Sequence, residues 1–189
     1  SANLMGTRYL QMSGRWGRGS SPVRIDGTAG NVTLFNTTVS SSQVDWNLAA
    51  TAGAVIEAAG STIRVDGANN HLHWTSTANT EMGESSSLTA DGPTQLLVEA
   101  GGRFLQFTNS TIALRDGGSN FDLSTGLSPA LNRVEVGGRL SVTASGGNNI
   151  RIADQLVANE VVLTTPGQLL DDRTDGVPAI VAQSSLNVS

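Results

Sequence analysis

The only two histidines of the chain stand two residues apart in "HLHW", as His71 and His73. On a β-strand that spacing turns both imidazoles to one face, where they could offer two nitrogens to a zinc or copper ion. A structural site needs two further ligands, and the chain has no cysteine to supply them. The expectation is a solvated strand face with no bound metal. Carboxylates suggest a second chemistry. Asp45, Asp66, Asp91 and Asp116 could form a column with Arg64 and Arg115 near it, the kind of face on which a β-helical polysaccharide lyase or glycosidase does acid/base work. A glycine follows Asp66, Asp91 and Asp116, however, and an Asp in that setting caps backbone N–H groups. No catalytic residue and no cofactor are therefore assigned.

Two further stretches invite a cation. "GGSNFD", residues 117–122, shares part of the calcium-binding pattern GGxGxD but lacks its third glycine and does not recur in tandem. "LLDDRTDG", residues 169–176, gathers Asp171, Asp172 and Asp175, whose oxygens could hold a hard cation; a wet loop accounts for them equally. Trp46 and Trp74 are the aromatic residues best suited to stack on a sugar face, although tryptophans also fill the corners of a core. Asn31, Asn36, Asn109 and Asn187 open Asn-x-Ser/Thr sequences, glycan acceptors only in a host that has the machinery.

What would position such residues is written in the composition. Glycine is abundant, with 22 residues, aromatics make up 4%, and all 11 basic residues are arginine. This is a strand-and-turn composition. At 38% hydrophobic and 14% charged, a chain of 189 residues can bury a core, and no apolar run approaches the length of a membrane span. A net charge of −5 without a basic run argues against nucleic acid. The absence of cysteine fits export through a bacterial envelope without oxidative folding. No signal segment opens the chain, as expected of a processed protein or an internal fragment.

Internal echoes are the strongest signal. "VIEAAGS" at Val55, "LVEAGG" at Leu97 and "RVEVGG" at Arg133 place Glu57, Glu99 and Glu135 between apolar residues, as in strands with one wet face. "VRIDG" at Val23, "TIRVDG" at Thr62, "SLTADG" at Ser87 and "IALRDGG" at Ile112 form a second series, with a degenerate "IRIAD" at Ile150. The five Asp-Gly pairs are 40, 25, 25 and 59 residues apart. These gaps predict an all-β, right-handed parallel β-helix with coils of about 20–25 residues. On this reading each echo is one structural position revisited. The alternative is an antiparallel β-sandwich, because Asp-Gly between alternating runs is also a hairpin signal. Residues 1–22 lack the motifs and are expected to be an N-terminal extension, cap or linker; residues 23–189 form the repeat domain.

The run "GGRLSVTASGGNNIRIADQLVANEVVLTT", residues 137–165, resembles the β-helical repeat regions of filamentous-haemagglutinin-type exoproteins and other giant bacterial surface proteins. That resemblance implies a secreted or cell-surface structural protein: a stiff fibre, sheath or adhesin stalk without an active site. The Asn-Pro-Asn motif typical of the secretion domain in two-partner exoproteins is absent, which leaves the two-partner route in doubt. The partner expected is another length of the same architecture, added end to end as identical subunits or as further repeats of a longer chain, with surface glycans as a second partner and no membrane insertion. The residues expected to form the assembly edge are Ile180, Val181, Leu186 and Val188, in a final stretch that still alternates like a strand.

Overall fold

In the computed structural model, which describes residues 1–17, 20–146 and 148–189, the chain winds as a parallel β-solenoid of about eight coils without a helix. Three faces enclose one core. Face A is built by β1 (Ala2–Met5), β3 (Val23–Ala29), β5 (Val44–Ala50), β8 (Asn70–Ser76), β11 (Thr94–Ala100) and β14 (Asn120–Thr125). It continues through the second halves of β16 (Arg133–Ala144), β18 (Leu156–Thr164) and β20 (Ile180–Val188). Face B holds the first halves of β2 (Tyr9–Trp16) and β4 (Asn31–Ser40), then β6 (Val55–Glu57), β9 (Thr80–Met82), β12 (Phe104–Gln106), β15 (Ala130–Leu131), β17 (Ile150–Ile152) and β19 (Leu169–Asp171). Face C takes the second halves of β2 and β4, then β7 (Thr62–Asp66), β10 (Ser87–Asp91), β13 (Thr111–Leu114) and the first halves of β16, β18 and β20.

Every strand pairing among the described residues is parallel, which sets aside the antiparallel sandwich. Successive partners on face A run Ile25, Trp46, Leu72, Leu96, Phe121, Leu140, Val161 and Leu186, in steps of 19 to 26 residues. Period-two alternation sends these side chains inward and their neighbours out. Face C repeats the arrangement with Ile63, Leu88, Ile112, Val134 and Leu156, and nearly all of these residues are fully buried. Edge-to-face aromatic pairs pack within the core: Trp46 on Trp74, with centroids 5.8 Å apart, and Phe104 on Phe121 at 6.0 Å.

The ladder also reaches into the first 22 residues. β1 pairs with β3 and β2 with β4, so residues 2–16 form the first coil rather than a separate extension, although they carry none of the recurring motifs. Their inward positions, Leu4, Leu10, Met12 and Trp16, keep the alternation while the turns around them differ.

The "VEAGG" echo is not one position revisited. Val55–Glu57 lies on face B, the Glu99 stretch on face A and the Glu135 stretch on face C. Glu57 points into the core at 1% exposure, in column with Leu34, Met82 and Gln106, whereas Glu99 points out. What the second and third copies share is a bend, although at different corners: the first leads from face A to face B, the second from face C to face A. At Gly101 and Gly102 a Cβ would press on the carbonyls of Thr77 and Ala78 in the coil before; at Gly137 and Gly138 it would press on those of Asp116 and Ser119. At these two bends the doubled glycine marks a close backbone approach. "VRIDG" likewise lies on face A, whereas "TIRVDG", "SLTADG" and "IALRDGG" stack directly on one another on face C.

A different corner carries the true repeat. Between faces B and C, Gly60, Ser85 and Asn109 occupy equivalent places with φ of 67°, 56° and 60°, and Asn36 joins them at 41°. Each of the first three is followed by a buried serine, Ser61, Ser86 or Ser110, whose N–H closes the turn onto Ala58, Gly83 or Phe107. A left-handed residue followed by Ser-Thr or Ser-Ser is thus the local instruction to bend.

Candidate functional surfaces

The histidine pair is where strand geometry puts it, side by side on the outside of face A. Each imidazole already has an acidic neighbour in the adjoining coil. His71 Nδ1 lies 3.2 Å from Asp45, and His73 Nε2 lies 2.7 Å from Glu99. The two rings therefore engage opposite neighbouring coils instead of converging on one point. Among the described residues, no group of three or more His, Asp and Glu side chains is placed to hold a metal ion. The same face carries Arg24 hydrogen-bonded to Asp26 at 2.8 Å, with Asn47 donating to Asp26 at 2.9 Å. These two donors, Arg24 first, hold the Asp26 carboxyl below its ordinary range.

Of the four aspartates considered for acid/base work, the fold brings two together. Asp66 and Asp91 are direct ladder partners on face C, and Arg64 reaches both, at 2.7 and 2.5 Å. Asp45 lies on face A, and Asp116 accepts the N–H of Gly118 at 2.8 Å, the local capping task its turn position implies. Arg115 turns away to Glu135 at 2.7 Å, and Arg133 reaches the other oxygen of Glu135 at 2.8 Å. Burial pushes the Glu135 carboxyl up, but the two guanidiniums outweigh it and leave the group below its usual value. Asp66, Asp91 and Glu135 are thus held by arginines, Asp91 and Glu135 from neighbouring coils.

The acidic loop after β19 has a cation of its own. Arg173, with a side chain only 10% exposed, lies within 3.6 to 3.8 Å of Asp171, Asp154 and Asp175 and donates to the Val177 carbonyl at 2.7 Å. Asp172 is held from the other side by Arg151 at 2.9 Å. A guanidinium thus fills the centre that the sequence offers to a metal. In "GGSNFD", Asp122 pairs with Arg139 at 2.6 Å.

The tryptophans named for sugar stacking are excluded from that role. Trp46 and Trp74 are 0% and 3% exposed, packed against each other inside the solenoid, where no sugar can reach them. The exposed aromatic rings are others: Tyr9, Phe35 and Phe107. Phe107 borders a recess between faces B and C that is lined also by Gln106, Thr108, Asn109, Asn132, Ala153 and Asp154. Sequence reasoning missed this recess, since it arises from a difference in corner length between stacked coils.

At the C-terminal end, β20 pairs with β18 alone among the described residues. Leu186 and Val188 are about half exposed, Val181 somewhat less, and Ile180 is partly buried against the core. Leu186 and Ile180 stack on the inward residues Val161 and Leu156, so they continue the core column with nothing above them among the described residues.

Comparison with protein-family models, curated proteins and solved structures finds no match to this chain.

Proposed function

We propose that the chain is a length of stiff, non-catalytic rod on the bacterial exterior, extended by coil-on-coil stacking as a fibre, sheath or adhesin stalk. The observation that carries this reading is the continuous parallel ladder, in which each coil from β1 and β2 to β19 and β20 lays its strands on the coil before over one shared core. A parallel edge above an open apolar core is a template for more of the same. Two further features support a mechanical role. The hydrophobic core runs unbroken from the first coil to the last, and ion pairs such as Arg64 with Asp91, Arg139 with Asp122 and Arg151 with Asp172 tie adjacent coils. With one strand layer for roughly every 4.8 Å, the described coils span roughly 40 Å of rod. The bacterial exterior rests on the resemblance to filamentous-haemagglutinin-type repeats and on a fold that needs no cysteine.

The test compares the parent chain with the double substitution Ile180→Lys and Val181→Lys by light scattering over a concentration series. The parent should grow with concentration and the variant stay monomeric. A parent that remains monomeric at high concentration, with the amides of β20 protected from exchange, would contradict the stacking role.

A further inference from the structure

One corner of the rod departs from its own repeat. The third, fourth and fifth coils pass from face B to face C through four residues each, 58–61, 83–86 and 107–110. In the sixth coil Asn132 alone makes the passage, between β15 and β16, and in the seventh residues 153–155 make it. The fifth coil therefore overhangs the sixth. Beneath the overhang is a recess of about 460 Å³.

Hydrogen bonds between coils fix its floor. Asn132 Nδ2 donates to the Phe107 carbonyl at 2.8 Å, the Asn132 N–H donates to Gln106 Oε1 at 3.1 Å, and Gln106 Nε2 donates to the Arg133 carbonyl at 3.2 Å. One wall is the turn itself: Phe107, which leaves 46% of its surface in solvent, then Thr108 and Asn109, the latter held at φ 60°. Ala153 and Asp154 form the other. Arg133 and Arg173 each stand 3.8 Å from Asp154, so that wall carries an acceptor whose charge is already countered. Those arginines are also engaged by Glu135 and Asp171, which leaves neither directed at an anion.

We propose that this recess binds a neutral pyranose unit of a glycan. A pyranose presents an apolar C–H face and a rim of hydroxyls. The exposed ring of Phe107 matches the first; the Thr108 hydroxyl, the Asn109 amide and the Asp154 carboxylate match the second. The charge balance disfavours a phosphate or a metal ion. The volume falls within the range of small-molecule sites and admits one or two sugar rings. Because the recess lies on the side of the rod, its occupancy does not depend on stacking at the ends, and either property can fail without the other.

The test is an amide-shift titration of the isotope-labelled chain with maltotriose, cellotriose and the trimer of N-acetylglucosamine as probes. Saturable shifts are expected at Thr108, Asn109, Asn132 and Ala153 with at least one probe, at an affinity near millimolar. Phe107→Ala should weaken binding roughly tenfold. Phe107→Tyr should keep it. Asn109→Gly suits the left-handed turn and removes the amide; it should also weaken binding, and serves if the alanine variant fails to fold. The proposal is overturned if none of the three probes gives a saturable shift at these residues, or if the shifts survive Phe107→Ala unchanged.

Discussion

Glu57 is a carboxyl group inside an apolar column, and its cost can be measured through pH. It lies at the inward end of β6 between Leu34 of one coil and Met82 of the next. Ser61 Oγ donates to its Oε1 at 3.3 Å, while Oε2 and the nearby Ser86 hydroxyl have no partner among the described residues. Burial pushes the group up from 4.5 to about 8, against weaker opposition from Ser61 and Ser87. The folded value lies above the unfolded one, so between the two the native state binds more protons and stability falls as pH rises. The benefit is complete below about pH 4.5, declines through neutrality and is gone above about pH 8. Over that window the loss is on the order of 3–5 kcal/mol. Urea unfolding followed by circular dichroism at pH 5 and pH 8.5 reads the total, and exchange at the Ser61, Thr62 and Leu88 amides reads the local part. Glu57→Gln should remove most of the slope, and Glu57→Met, which copies Met82, should raise stability at pH 8.5. Equal pH slopes for the parent and Glu57→Gln would refute the assignment of the buried acid.

The remaining expectations use the same ladder. Ile63→Asp or Val134→Asp places an unpaired charge at a fully buried position and should cost several kcal/mol, about 3–5, in urea melts. Glu99→Gln, by contrast, removes only the exposed contact to His73 and should cost under about 1 kcal/mol; equal losses would contradict the face assignment. At the left-handed corner, a Cβ on Gly60 meets nothing within 4 Å, so Gly60→Ala should lower stability by about 1 kcal/mol for backbone reasons alone. The melt should return toward the parent in Gly60→Asn, since Asn tolerates this conformation better, and an alanine variant as stable as the parent would contradict the turn. A chelator should leave the melting temperature unchanged, because Arg173 holds the acidic loop; a drop on chelation would reveal a structural cation.

The solenoid was legible in sequence because its requirements repeat. The apolar pairs Ile63 with Val65 and Val134 with Val136 must face one core in every coil, and the 25-residue gap between Asp66 and Asp91 is one coil step, Asp116 standing one residue beyond the next. The register misled because a three-faced coil contains three corners with similar needs. The double glycines at Gly101 and Gly137 answer a close backbone approach at two different corners, and so recur at fractions of a coil. The better signal was short and polar, a residue able to adopt positive φ followed by serine, at Gly60, Ser85 and Asn109. It was hidden by three different residues doing the same task. The first coil escaped notice because alternation in β1 and β2 persists without shared turns. The tryptophans could not be placed from sequence, since at these positions inward and outward strand faces differ by one residue of register. The recess was invisible for a related reason: it comes from how many residues three stacked coils spend on one corner.

The most direct test of the account is a distance ladder along the rod. Thr38, Arg64, Thr89, Ala113, Glu135, Val157 and Val181 are successive ladder partners on face C. The chain has no cysteine of its own, so spin labels can be attached to cysteines introduced in pairs at these positions. From Thr38, the separations to Glu135, Val157 and Val181 should rise evenly by roughly 4.8 Å per coil, to roughly 29 Å for Val181, after correction for the length of the label. Separations that fail to rise in equal steps, or a Val181 distance shorter than that to Glu135, would contradict the parallel solenoid on which every other inference here depends.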